Sequence, residues 1–130
     1  LMADSICASQ AFTESFRREM AAVFPDQKLE RLAENDRLLT AAYGGFDLAK
    51  DKVTRYDPQT TDDQGPIRAD KRKVAPVLEG IKMGDRWGVI FSPYDISCAL
   101  EKHKSLECQG YTHEDAARIA LNVLLYSLQQ

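Results

Sequence analysis

Two apolar runs, Val77 to Ile81 and Trp87 to Phe91, flank Lys82-Met83-Gly84-Asp85-Arg86, and this pattern constrains the fold more than any other stretch of the chain. A short polar link containing glycine between two β-favouring runs predicts a β-hairpin. The second run says more. Val89-Ile90-Phe91 has no polar break, as expected of a strand covered on both faces. Such a strand needs partners above and below it, and the helical stretches elsewhere in the chain are the candidates.

The rest of the chain supplies those partners. Phe12, Phe16, Met20 and Phe24 recur every four residues with Glu14, Arg17, Arg18 and Glu19 off the stripe, which predicts an amphipathic helix from Ala8 to Phe24, ended by Pro25. Lys28 to Leu32 alternates like a strand, and Asn35 or Asp36 is placed to cap a short helix through Ala42 that Gly44-Gly45 stops. From Phe46 to Lys73 the pattern weakens to one brief strand, Val53 to Tyr56, flanked by a long loop. A short helix is expected from Ile96 to Lys102. Thr112 and Asp115 then form a capping box for a final helix. That helix carries Ala117, Ala120, Leu121, Leu124, Leu125 and Leu128 on one face and Ile119, Val123 and Tyr126 on another, so it is expected to be buried on more than one side.

At 130 residues the chain is the size of one α/β domain, residues 1–130, with strands alternating with helices and one antiparallel hairpin. It opens on Leu1-Met2-Ala3-Asp4, an apolar run that reads as the tail of a buried strand, so we expect a fragment of a larger protein truncated at its N-terminus. The formal charge of -3 argues against a nucleic-acid partner held by phosphate neutralisation, and against a basic membrane anchor. Lys71-Arg72-Lys73 reads as a solvated strand entrance. No apolar run approaches the ~20 residues that span a bilayer, so no membrane contact is expected of this segment.

Cys7 is the sharpest chemical candidate, because a thiol between a strand end and a helix start sees the positive end of the helix dipole. That is the logic of a nucleophile elbow, although Ile6 and Ala8 stand where such elbows carry glycine. A small buried apolar residue is the alternative reading. His103 and His113 are the chain's two histidines and hence the candidate bases; ordinary surface residues are the competing account. Cys98 and Cys108, ten residues apart, suit either a local disulfide or two free thiols. No Cys-x-x-Cys pair, no calcium-loop spacing among Asp57, Asp62 and Asp63, and no glycine-rich phosphate cradle occurs, so neither metal nor cofactor is expected.

A second candidate site follows from topology. If Leu1 to Ala3 and Trp87 to Phe91 are neighbouring parallel strands, Asp4, Ser5, Ser92, Tyr94 and Asp95 share the carboxyl rim, where open α/β sheets bind ligands. A small polar ligand or a partner domain would fit there. The competing account is that Asp4 and Asp95 cap the helices that follow them.

Leu1-Met2-Ala3-Asp4-Ser5, Phe16-Arg17-Arg18-Glu19-Met20, Leu78-Glu79-Gly80-Ile81, Val89-Ile90-Phe91-Ser92-Pro93-Tyr94-Asp95 and Arg118-Ile119-Ala120-Leu121-Asn122 with Leu125-Tyr126 together resemble a bacterial family, the domain of unknown function 4159. The resemblance covers most of the chain and is most specific in the hairpin and the Ser-Pro-Tyr-Asp segment. It implies the C-terminal part of a class I glutamine-amidotransferase-like domain, a flavodoxin-like three-layer sandwich with a mostly parallel sheet. By that analogy Asp4 to Cys7 falls where amidotransferases keep their catalytic cysteine, but the glycine-flanked elbow and the downstream His-x-Glu pair are missing. The resemblance further implies an exported or membrane-anchored protein in which an upstream domain, or another chain, covers the sheet edge. The functional expectation is a non-catalytic binding or interaction module; the alternative is a cysteine-dependent hydrolase or amidotransferase relative using Cys7.

Overall fold

The structure is a computed structural model that describes residues 1–58, 69–101 and 110–129. The predicted hairpin is its centre. β5 (Glu79–Met83) and β6 (Arg86–Ser92) pair antiparallel, and Gly84 at φ 67° takes the first position of their two-residue turn, where a side chain would be strained. β1 (Met2–Asp4) joins β6 in parallel and β2 (Glu30–Arg31) joins β5, giving the order β1-β6-β5-β2.

β6 is covered on both faces, as its unbroken apolar run demands. Val89 and Phe91 share one face with Ile81 and Glu79, since these residues are register partners. On that face lies α1 (Gln10–Val23): Phe16 stacks on Phe91 at 4.4 Å, and Arg17 pairs with Glu79 at 2.7 Å. Ile90 points the other way, into a cluster with Leu78 and with Ala116, Ile119, Val123 and Tyr126 of α4 (His113–Leu128). Helix, sheet and helix are thus stacked around β6.

The remainder departs from expectation. A second sheet, β4-β3-β7, is formed by β3 (Val53–Pro58), β4 (Ala69–Val74) and β7 (Gly110–Tyr111), all antiparallel. Of the five described strand pairings only β1 with β6 is parallel, so the expected mostly parallel sheet is corrected to mostly antiparallel. The cause lies in the stretch read as a long loop. Lys71-Arg72-Lys73, taken as a strand entrance, is the middle of β4, where charged side chains suit a sheet edge. The short helix expected to end at Ala42 is instead two 3-10 turns, Arg37–Leu39 and Ala41–Tyr43, the first capped by Asp36. α2 (Leu48–Asp51), capped by Asp47, was not anticipated, and α3 covers Ser97–Leu100.

α4 is fixed at both ends and in its middle. Thr112 caps it by accepting from the Asp115 N–H at 3.3 Å, but Asp115 does not close the expected box; its carboxylate reaches across to the Thr54 N–H at 2.6 Å. Buried Asn122 donates to the carbonyls of Leu38 and Phe46 and accepts from the Phe46 N–H at 2.8 Å. Near the C-terminus Arg86 donates to the Tyr126 and Gln129 carbonyls, a cation placed at the negative end of the helix. Only one of the two predicted apolar faces is covered: Leu121, Leu124 and Leu128 are exposed.

Candidate functional site

Parallel pairing of β1 with β6 sets Asp4 opposite Ser92, so the carboxyl ends of both strands share one rim. Chain direction explains this, because each strand feeds a turn on the same side of the sheet. Asp4, Ser5, Ser92, Tyr94 and Asp95 are all at or beside that rim.

The side chains of Asp4, Ser5, Ser92 and Asp95 bond the backbone that surrounds them. Asp4 Oδ2 accepts from the N–H of Ile96 at 2.9 Å, from the N–H of Ser97 at 2.8 Å and from Ser97 Oγ at 2.9 Å, which ties β1 to the start of α3. Asp95, 2% exposed, spans the same gap in the other direction: Oδ1 accepts from the Cys98 N–H at 2.9 Å and Oδ2 from the Cys7 N–H at 3.2 Å. Ser5 Oγ donates to the Ser9 carbonyl, and Ser92 Oγ donates to the Tyr94 carbonyl at 2.7 Å while accepting from the Tyr94 N–H. The two acids therefore brace the rim: Asp95 caps the helix that follows it, as the capping account has it, whereas Asp4 bonds the start of α3 and not the helix that follows it.

Sequence reasoning missed the far side of Tyr94. The Arg55 guanidinium lies 3.8 Å from the Tyr94 ring centroid, and Tyr111 meets that ring edge-on at 6.2 Å. Tyr111 Oη accepts from the Val77 N–H at 3.0 Å, and burial pushes its hydroxyl up to about 12. No local pattern signals this stack, since its members come from β3, the loop after β6 and β7.

Cys7 lies in a 3-10 turn, Ile6–Ala8, between β1 and α1, with φ 53° and ψ 26°; Ala8 also has φ 53°. Non-glycine residues enter this left-handed region at a cost of about 1–2 kcal/mol each. The elbow-like backbone thus exists without flanking glycines, held in part by the Asp95 carboxylate. Cys7 is in a disulfide, whereas Cys98 is a free thiol. Of the two readings of Cys98 and Cys108, a bridge between them is excluded because Cys98 is free: α3 turns Cys98 towards Asp95, and Cys108 lies outside the described residues. Sγ of Cys7, a carboxylate oxygen of Asp95 and Sγ of Cys98 all lie within 4.8 Å of one another. Partial burial, the Asp95 carboxylate that accepts its S–H, and the charges of Glu101 and Asp4 push the Cys98 thiol up.

Of the two candidate bases, only His113 falls among the described residues, and it is not part of this group. His113 opens α4 with Nδ1 2.8 Å from the Ala99 carbonyl, and His103 lies outside the described residues. The family described as a domain of unknown function, DUF4159, matches residues 1–128. The chain belongs to that family. No curated protein and no solved structure matches the chain. In this DUF4159 chain no described helix is long and apolar enough to cross a membrane.

Proposed function

We propose that this DUF4159 domain is a non-catalytic interaction module that docks an upstream domain of the same protein, or another protein chain, by strand addition at the outer edge of β1. One observation carries the reading. The Leu1 carbonyl accepts from the Ile90 N–H and the Ser5 N–H donates to the Ser92 carbonyl, so Leu1, Ala3 and Ser5 face β6 while Met2 and Asp4 turn their main-chain groups outward. Leu1 and Met2 are exposed on this edge, and Phe12, also exposed, extends the ring stack built by Phe91 and Phe16. An edge with no strand partner among the described residues, flanked by apolar side chains, is a template for a further strand. A flavodoxin-like or glutamine-amidotransferase-like parent fold fits this reading, because its further parallel strands would add next to β1. The rim around Asp4, Tyr94 and Asp95 then serves as the brace for the docking edge, with a small polar ligand as its alternative occupant.

The test is a photo-crosslinking residue at Met2, compared in cells with the same residue at Lys82 on the exposed hairpin. Crosslinks are expected at Met2 and absent at Lys82. Met2→Pro, which removes an outward N–H without touching the β6 ladder, should abolish binding and leave the fold intact. Equal crosslinking at both positions overturns the reading.

The hydrolase or amidotransferase reading keeps one supporting observation, the left-handed Cys7 at a strand-to-helix junction. It requires Cys7 to leave its disulfide and find a base. Absence of turnover by the reduced, folded chain across an amide and ester library removes it.

A further inference from the structure

The cluster under the rim offers more than bracing. Two sulfurs and a carboxylate from three separate elements converge within 4.8 Å. The carboxylate is oriented from both sides, since Asp95 accepts the N–H of each cysteine it lies between, Cys7 at 3.2 Å and Cys98 at 2.9 Å. Outer hydrogen bonds of this type fix the direction of a metal-ligating group. α3, which carries Cys98, is in turn held by three bonds to Asp4 Oδ2.

We infer that Cys7, Cys98 and Asp95 form a redox-gated site for a soft divalent cation of the zinc class, closed while Cys7 is in its disulfide and opened by reduction. The chemistry of the donors selects the ion. Two thiolates and one carboxylate suit a four-coordinate zinc-class cation, with sulfur at about 2.3 Å and oxygen at about 2.0–2.2 Å, and the described residues supply three of its four ligands. Donors around such an ion lie nearly 4 Å apart at those bond lengths, so only a small closure from the observed spacing is needed.

The steps balance. The disulfide of Cys7 takes two electrons and two protons from a dithiol, which is itself oxidised to a disulfide, and Cys7 and its disulfide partner are each released as a thiol. On binding the cation, the Cys7 and Cys98 thiols each lose a proton to solvent and the Asp95 carboxylate binds as it stands.

The experiment is a Co2+ titration of the 130-residue chain, oxidised and after reduction with a phosphine, with folding followed by circular dichroism. The reduced chain should bind one Co2+ with a thiolate-to-cobalt absorption band and the visible bands of four-coordinate cobalt, both displaced by Zn2+; the oxidised chain should show neither. Cys98→Ser, a near-isosteric change, should weaken binding at least tenfold and reduce the charge-transfer band while keeping the fold. Asp95→Asn should weaken binding while retaining that band. A reduced, folded chain with no thiolate-to-cobalt band overturns the proposal, and so does an oxidised chain that binds as the reduced one does. Wild-type binding by Cys98→Ser overturns it as well.

Discussion

α1 and α4 cover opposite faces of the same strand, yet they are held very differently. α4 buries Asp115, Ala116, Ile119, Asn122, Val123 and Tyr126, whereas α1 buries only Thr13. α1 is attached by the Phe16–Phe91 stack and the Arg17–Glu79 pair, and Arg17 is half exposed, so the pair contributes little. The contrast separates the surface that makes the domain from the surface that the domain presents. On the α4 side lies a closed core; on the α1 side lie a strand edge without a partner among the described residues and an aromatic stripe left partly in water.

If that division is right, substitutions should differ in cost by side. Ile119→Ala, on the closed side, should cost about 2–5 kcal/mol in denaturant unfolding, because the site is fully enclosed. Asn122→Ala should follow at roughly 2–3 kcal/mol, since it strands the buried Leu38 carbonyl and the part-buried N–H and carbonyl of Phe46. The pH axis probes the same core. Burial lifts Tyr111 from 10.0 to about 12, so the unfolded chain ionises first. The resulting stability is fully present below pH 10 and is lost as pH rises toward 12, a loss of about 2–3 kcal/mol that stability measurements should find in the wild type but not in Tyr111→Phe. On the open side Phe16→Ala should cost about 1 kcal/mol, as its ring is only partly buried. Phe12→Ala should move stability by less than about 0.5 kcal/mol. A Phe16→Ala cost equal to that of Ile119→Ala would erase the contrast.

How much of this was legible in the sequence depends on the range of the interactions. The hairpin, α1, α4 and the Asp36 and Thr112 caps follow from local periodicity and cap chemistry. The shared rim of Asp4 and Ser92 also followed, once β1 and β6 were taken as parallel neighbours. β4 did not: Lys71-Arg72-Lys73 carries no apolar alternation, and only pairing with β3 makes it a strand. Nor did the meeting of Cys7 with Cys98 and Asp95, or of Arg55 with Tyr94. Those contacts join residues far apart in the chain, and no spacing rule reaches across them. Which apolar face of α4 is covered is likewise decided by the neighbours that Leu121, Leu124 and Leu128 do not have among the described residues.

The sharpest test of the open edge is amide hydrogen exchange at Met2 and Asp4, measured in the purified 130-residue chain and again in the assembly isolated under native conditions. Both amides should exchange freely in the purified chain and slow by about 100-fold or more in the assembly, as strand addition closes their outward groups. Exchange that stays fast in the assembly, with the partner demonstrably bound, would place the contact elsewhere and contradict the account.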